Sequence, residues 1–180
     1  MNKAVLGEFL SDDNISLHHS YMKDKYLKYS ILKKGREELN GVKLEEVHYL
    51  RIPRNEREMA HSLLSEVESH KCYFDSFEIC GRRCENIRKC FGSEDAMLYE
   101  VLETAKHAEQ DFVYIYSDGG RVKIMSANPS TAFLRCRPIL ALDLCEHAYF
   151  IDYAFDKERY LRAALAHLNL EKLDKSMSGT

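Results

Sequence analysis

Two long stretches near the start of the chain place apolar side chains at three- and four-residue intervals, the spacing that gathers them on one face of an α-helix. In the first, Ile15, His18, Met22, Tyr26 and Tyr29 share a face. Asp13, Asn14 and Ser16 offer side-chain oxygens that cap a helix start. The expected helix runs from Leu17 to about Leu39, with Gly35 weakening its far end and Asn40-Gly41 ending it. In the second, Met59, Leu63, Val67, His70, Phe74 and Phe77 form one stripe behind Pro53, a residue suited to a helix start. That helix is expected from about Arg54 to Phe77. A connector through Val47-His48-Tyr49-Leu50 then makes an antiparallel helical hairpin.

The periodicity changes in the second half. Cys80 to Cys90 is basic and irregular. Ser93 offers a capping hydroxyl, and Glu94 and Asp95 favour the positive end of a helix dipole, so a third helix is expected to open here and end near His107. Phe112 to Tyr116 and Val122 to Ala127 have strand composition, joined by the turn signal Asp118-Gly119-Gly120. Asn128-Pro129-Ser130-Thr131 breaks the pattern, and Pro138 to Leu142 reads as a third, buried strand. A last helix is expected from Glu158 to about Leu168, and the tail after Lys172 reads as frayed. Strands grouped together, rather than alternating with helices, predict an α+β fold. The expected division is an N-terminal helical hairpin over 1–79 and a C-terminal lobe over 80–180 built on an antiparallel sheet.

Composition narrows the function classes. With 26 basic and 29 acidic residues the net charge is -3, which gives no global attraction to nucleic acid. No apolar run approaches the ~18 residues that span a bilayer. The first residues carry no secretory pattern, and six cysteines without one point to a reducing, cytoplasmic setting. Cys80, Cys84 and Cys90 do not have the spacing of a paired zinc knuckle. Arg82, Arg83, Arg88 and Lys89 around them read as a solvated basic face, the functional alternative being steering of an anionic substrate.

Candidate chemistry begins where the third strand ends. Asp143 and His147 stand four residues apart, in a place where packed backbone fixes both side chains. The same Asp143 is also a natural helix N-cap. His70 is the polar member of an otherwise apolar stripe, which describes a core histidine as well as a ligand, and His18 near a helix start describes a capping or surface residue as well.

Taken as a whole, Asp143-Leu144-Cys145-Glu146-His147-Ala148-Tyr149 resembles the signature of the iron/manganese superoxide dismutases, which reads Asp-x-Trp-Glu-His-Ala-Tyr. Leu17-His18-His19-Ser20 resembles the family's first ligand motif, and His70-Lys71-Cys72-Tyr73-Phe74 its second. Phe91-Gly92-Ser93 matches a further family motif, and the likeness runs from about residue 15 to 170. The resemblance implies a three-stranded antiparallel sheet in the C-terminal lobe. It also implies that His18, His70, Asp143 and His147 bind one iron or manganese ion per chain, a borderline-hard donor set suited to either metal. Tyr26 falls where the family places a hydroxyl at the mouth of the substrate channel. Glu146 falls where the family reaches across a homodimer to the partner's ligand histidine. The implied activity is superoxide dismutation to dioxygen and hydrogen peroxide, with the metal alternating between +3 and +2.

Several surroundings depart from the family. The Gln that hydrogen-bonds metal-bound solvent is missing from both of its usual places, which hold Glu66 and fall near Ser130. There is no Trp: Tyr114-Ile115-Tyr116 replaces Trp-x-Trp, and Cys145 replaces the signature Trp. Met22 and Phe150 replace a His and Tyr that bond each other across the dimer, and losing both partners leaves no orphan. These changes set an alternative beside the dismutase, namely a metal-binding protein of the same fold with little or no dismutase activity.

Overall fold

The computed structural model describes residues 3–79 and 84–177. Cys80, Arg82, Arg83 and the expected boundary at residue 80 fall outside them. A short helix α1 (Lys3–Leu6) precedes α2 (Asp12–Leu32), which Ser11 caps by accepting from the Asn14 N–H at 3.2 Å. The helix α3 (Arg54–Phe74) lies against α2 and runs the opposite way, since Lys25 faces Glu66 while His18 packs on Tyr73 and Phe74. The hairpin is therefore present, with both helices shorter than the periodicity suggests. Gly35 takes φ +77°, and the chain turns there into a short 3-10 segment, Glu37–Leu39. The turn is held from two sides: the Tyr29 hydroxyl donates to the Leu39 carbonyl at 3.1 Å, and Arg36 grips Glu56 of α3 at 2.6 Å. The second helix stops at Phe74 because Phe77 leaves it to bridge Leu168.

After α4 (Glu85–Phe91) and α5 (Glu94–Lys106), three antiparallel strands follow: β1 (Phe112–Asp118), β2 (Arg121–Ala127) and β3 (Leu140–Asp143). The sheet order is β2-β1-β3, with Phe112 opposite both Ala127 and Asp143. Gly119 and Gly120 both have positive φ, 54° and 72°, as a tight hairpin turn demands. The helix α6 (Pro129–Arg135) sits between β2 and β3, and α7 (Phe150–Tyr153), α8 (Lys157–Leu165) and α9 (Leu170–Met177) complete the lobe. The fold is α+β, as expected.

Three helices correct the sequence reading. α4 lies in the stretch read as irregular. α6 begins at the supposed breaker, because Asn128 accepts from the Thr131 N–H at 3.0 Å and Pro129 opens the first turn. α9 occupies the tail read as frayed, and buries Leu173 and Met177 in the core. That core is formed by β1, β3, α5, α8 and α9 together with the first residues of the chain and the last turn of α3.

Candidate metal centre

The four side chains singled out by sequence come together in one buried place. His18, His70, Asp143 and His147 each present one ligand atom, and these atoms all lie within 4.8 Å of one another. α2 supplies His18, α3 supplies His70, β3 ends on Asp143, and the 3-10 turn Glu146–Ala148 supplies His147. His18, His70 and Asp143 are fully buried, and the His147 side chain is 16% exposed.

Asp143 is the hub. Its Oδ2 lies 2.8 Å from His18 Nε2, 3.1 Å from His147 Nε2 and 3.6 Å from His70 Nε2. Its other oxygen, Oδ1, accepts the Cys145 N–H at 2.9 Å, so the carboxylate both caps the following turn and faces the imidazoles. The Tyr160 hydroxyl holds the Asp143 carbonyl at 2.9 Å from behind. Burial alone would push the Asp143 carboxyl up, but hydrogen bonds from His147 and His18 outweigh it and hold the group well below the usual carboxylate range. His70 behaves oppositely. Desolvation is the largest influence on its ring and lowers its pKa to about 4, leaving it neutral at neutral pH. Its Nδ1 donates to the Glu66 carbonyl at 2.6 Å, which turns Nε2 toward Asp143 and His147.

Three imidazoles and one ionised carboxylate, with His70 and Asp143 anchored by backbone hydrogen bonds, fit a borderline divalent or trivalent ion such as iron or manganese. The wall is aromatic. Tyr73 and Phe74 pack on His18, and Phe112 meets His70 edge-on at 5.5 Å. Tyr114 is buried behind them, its hydroxyl 2.6 Å from Ser69.

Other expected residues fall elsewhere. Tyr26 is 56% exposed and lines a groove of about 600 Å3 with Lys33, Glu68, Lys71 and Phe133, outside the four-ligand cluster. Glu146 is exposed, directly before His147. The Glu66 side chain is pushed up by burial, with Lys25 opposing, and the Lys25 ammonium lies 3.7 Å away. Ser130 is half-buried in α6. Cys84 is buried and Cys90 exposed, and Arg88 pairs with Glu94 at 2.8 Å, so part of the expected basic face is neutralised.

Sequence reasoning missed Tyr21. Its ring stacks on His147 with centroids 3.9 Å apart and lies 5.6 Å from His70, and Lys25 sits 4.8 Å from its centre. Its position three residues after His18 was the available signal, since that spacing puts it beside the ligand on one helix face.

Comparison with known proteins bears on the family of the chain. Residues 81–176 match the family model described as iron/manganese superoxide dismutases, C-terminal domain. An iron superoxide dismutase of Campylobacter jejuni is 25% identical over 192 residues, covering 96% of this chain and 84% of its own length. A Mn/Fe superoxide dismutase of Rickettsia prowazekii is 26% identical over 177 residues, covering 93% of this chain and 84% of its own.

Proposed function

The chain belongs to the iron/manganese superoxide dismutase family, and on that premise we propose that it is itself a metal-dependent superoxide dismutase. The observation that carries the reading is the convergence of His18, His70, Asp143 and His147, from four separate elements, on one buried point. Bound there, a single iron or manganese ion would supply the redox step, alternating between +3 and +2 as one superoxide becomes dioxygen and the next hydrogen peroxide.

The chain's own part is to hold the donors and manage access and protons. His70 offers its Nε2 lone pair without competition from a proton near neutral pH, because its pKa is lowered to about 4. Asp143 contributes the one fixed negative charge. Tyr21 stacks on the His147 ring, the one of the four side chains with solvent exposure. The second half-reaction consumes two protons, and the Tyr26 hydroxyl, eight residues along α2 from His18, is our proposed donor from the groove side. Glu146 is proposed to reach the counterpart of His147 in a second copy of the chain. The exposure of Glu146, Phe150 and Ile151 around that turn supports a homodimer. None of the described helices is long and apolar enough to cross a membrane. The free thiols of Cys72, Cys90, Cys136 and Cys145 support a reducing, cytoplasmic site of action.

One observation favours the alternative of a metal-binding relative with little dismutase activity: Glu66 stands where the solvent-bonding Gln is missing, and its side chain faces Lys25. Elemental analysis paired with a dismutase assay decides between the two. The dismutase reading expects iron or manganese near one per chain and dismutation well above the free ion. Stoichiometric metal without activity leaves the alternative, and absence of both metals overturns the two together.

A further inference from the structure

The buried ligands differ in how their outer faces are held. His70 Nδ1 is satisfied by the carbonyl of Glu66, four residues earlier on α3. Asp143 is satisfied by the Cys145 N–H and the Tyr160 hydroxyl. His18 is not: it is fully buried, yet its Nδ1 has no protein partner among the described residues. Asn14, also fully buried, precedes it by four residues on the same face of α2, and both its Oδ1 and its Nδ2 likewise lack a protein partner. A buried amide with neither end bonded costs about 1–3 kcal/mol.

We infer that Asn14 is a positioning residue for His18, an amide one helical turn away whose oxygen receives the Nδ1 proton once an ion occupies Nε2. The inference rests on the metal-binding reading above. Without metal, Asp143 Oδ2 lies 2.8 Å from His18 Nε2, which makes Nε2 the donor and leaves the bare Nδ1 and both ends of the Asn14 amide without a protein partner. With an ion held at Nε2, the ring proton would sit on Nδ1 and donate to Asn14 Oδ1 after a side-chain rotation. An outer partner of this kind orients a ligating imidazole and raises its basicity, and its loss lowers metal affinity by about 10–100-fold.

The test uses the full chain, stripped of metal and titrated with Mn(II) against a competing chelator, with the electron paramagnetic resonance spectrum of bound Mn(II) recorded alongside. Asn14→Leu keeps the volume and removes both bonding ends. It is expected to bind Mn(II) about 10–100-fold more weakly and to change the spectrum, while the metal-free protein is as stable as the parent or more so. Asn14→Asp, which restores the acceptor, is expected to regain most of the affinity. Unchanged affinity and spectrum in Asn14→Leu, with the parent binding tightly, overturns the role of Asn14 and leaves the metal site standing. Failure of the parent itself to bind Mn(II) or iron overturns the site and the inference together.

Discussion

At Asp143 the two carboxylate oxygens divide the labour, Oδ1 capping the turn at Cys145 and Oδ2 facing three imidazoles. A helix cap and a metal ligand looked like competing explanations for this residue, and the geometry leaves one oxygen for each. The three histidines are not equivalent around that oxygen. His70 is held neutral and aimed by backbone, so His70→Ala is expected to abolish stoichiometric metal retention, read by elemental analysis of protein purified under identical conditions. Tyr21 is the side chain in ring contact with the most accessible ligand. Tyr21→Ala is expected to leave the fold intact and speed metal loss to a chelator, whereas Tyr21→Phe, keeping the ring, is expected to match the parent. A second histidine pair lies away from the site. His61 is buried with its ring 4.3 Å from that of His48. Burial first, then the charge of His48, lower its pKa below the ordinary 6.5. The unfolded chain therefore binds the extra proton more readily. This group's contribution to stability is full above about pH 6.5 and falls as the pH drops through the lowered folded value. Melting curves from pH 7.5 to 5 are expected to show a shallower acid loss in His61→Phe than in the parent.

Among the elements, α4 and α9 explain each other. The N–H groups of Asn86 and Ile87, in the first turn of α4, donate to Asp174 Oδ1 of α9 at 2.8 and 2.9 Å. One carboxylate thus caps a helix that begins almost ninety residues earlier, and the cap pins the terminal helix in return. Asp174→Ala is expected to lower stability by about 1–2 kcal/mol, in the range of a lost N-terminal cap. Denaturant titration reads that loss, and hydrogen exchange at Asn86 and Ile87 should speed up with it. The cap at Ser93 is different in kind, since its hydroxyl accepts from Ala96 three residues on, a purely local bond. That contrast accounts for which helices the sequence disclosed. α5 carries its own start signal; α4 borrows one from far along the chain. α6 carried a local signal too, and Asn128-Pro129 was misread because a strand breaker and a helix start use the same residues.

Over the whole molecule, a metal at the proposed site would couple the two halves of the chain, because two of its ligands would come from the hairpin and two from the end of the sheet. Binding to the folded state alone adds stability by mass action, about 2.7 kcal/mol at a free metal concentration 100 times the dissociation constant. Chelation is therefore expected to lower the melting temperature of the parent and leave that of His70→Ala unmoved. If a second copy docks over Glu146, Glu146→Arg is expected to shift sedimentation toward the monomer. The chain's periodicities were enough to determine the hairpin, the three strands and the α+β class, because each depends on spacing within one element. The four ligands were legible as motifs for the same reason: each sits in a short local pattern. Their convergence was implied by the resemblance and by no local spacing, and neither disclosed the division of Asp143 between the turn at Cys145 and the three imidazoles, the stacking of Tyr21 on His147, the groove that Tyr26 lines, or the capping of α4 by Asp174. Those depend on distances between residues remote in sequence, which the packing of α2, α3 and β3 around a common core alone decides.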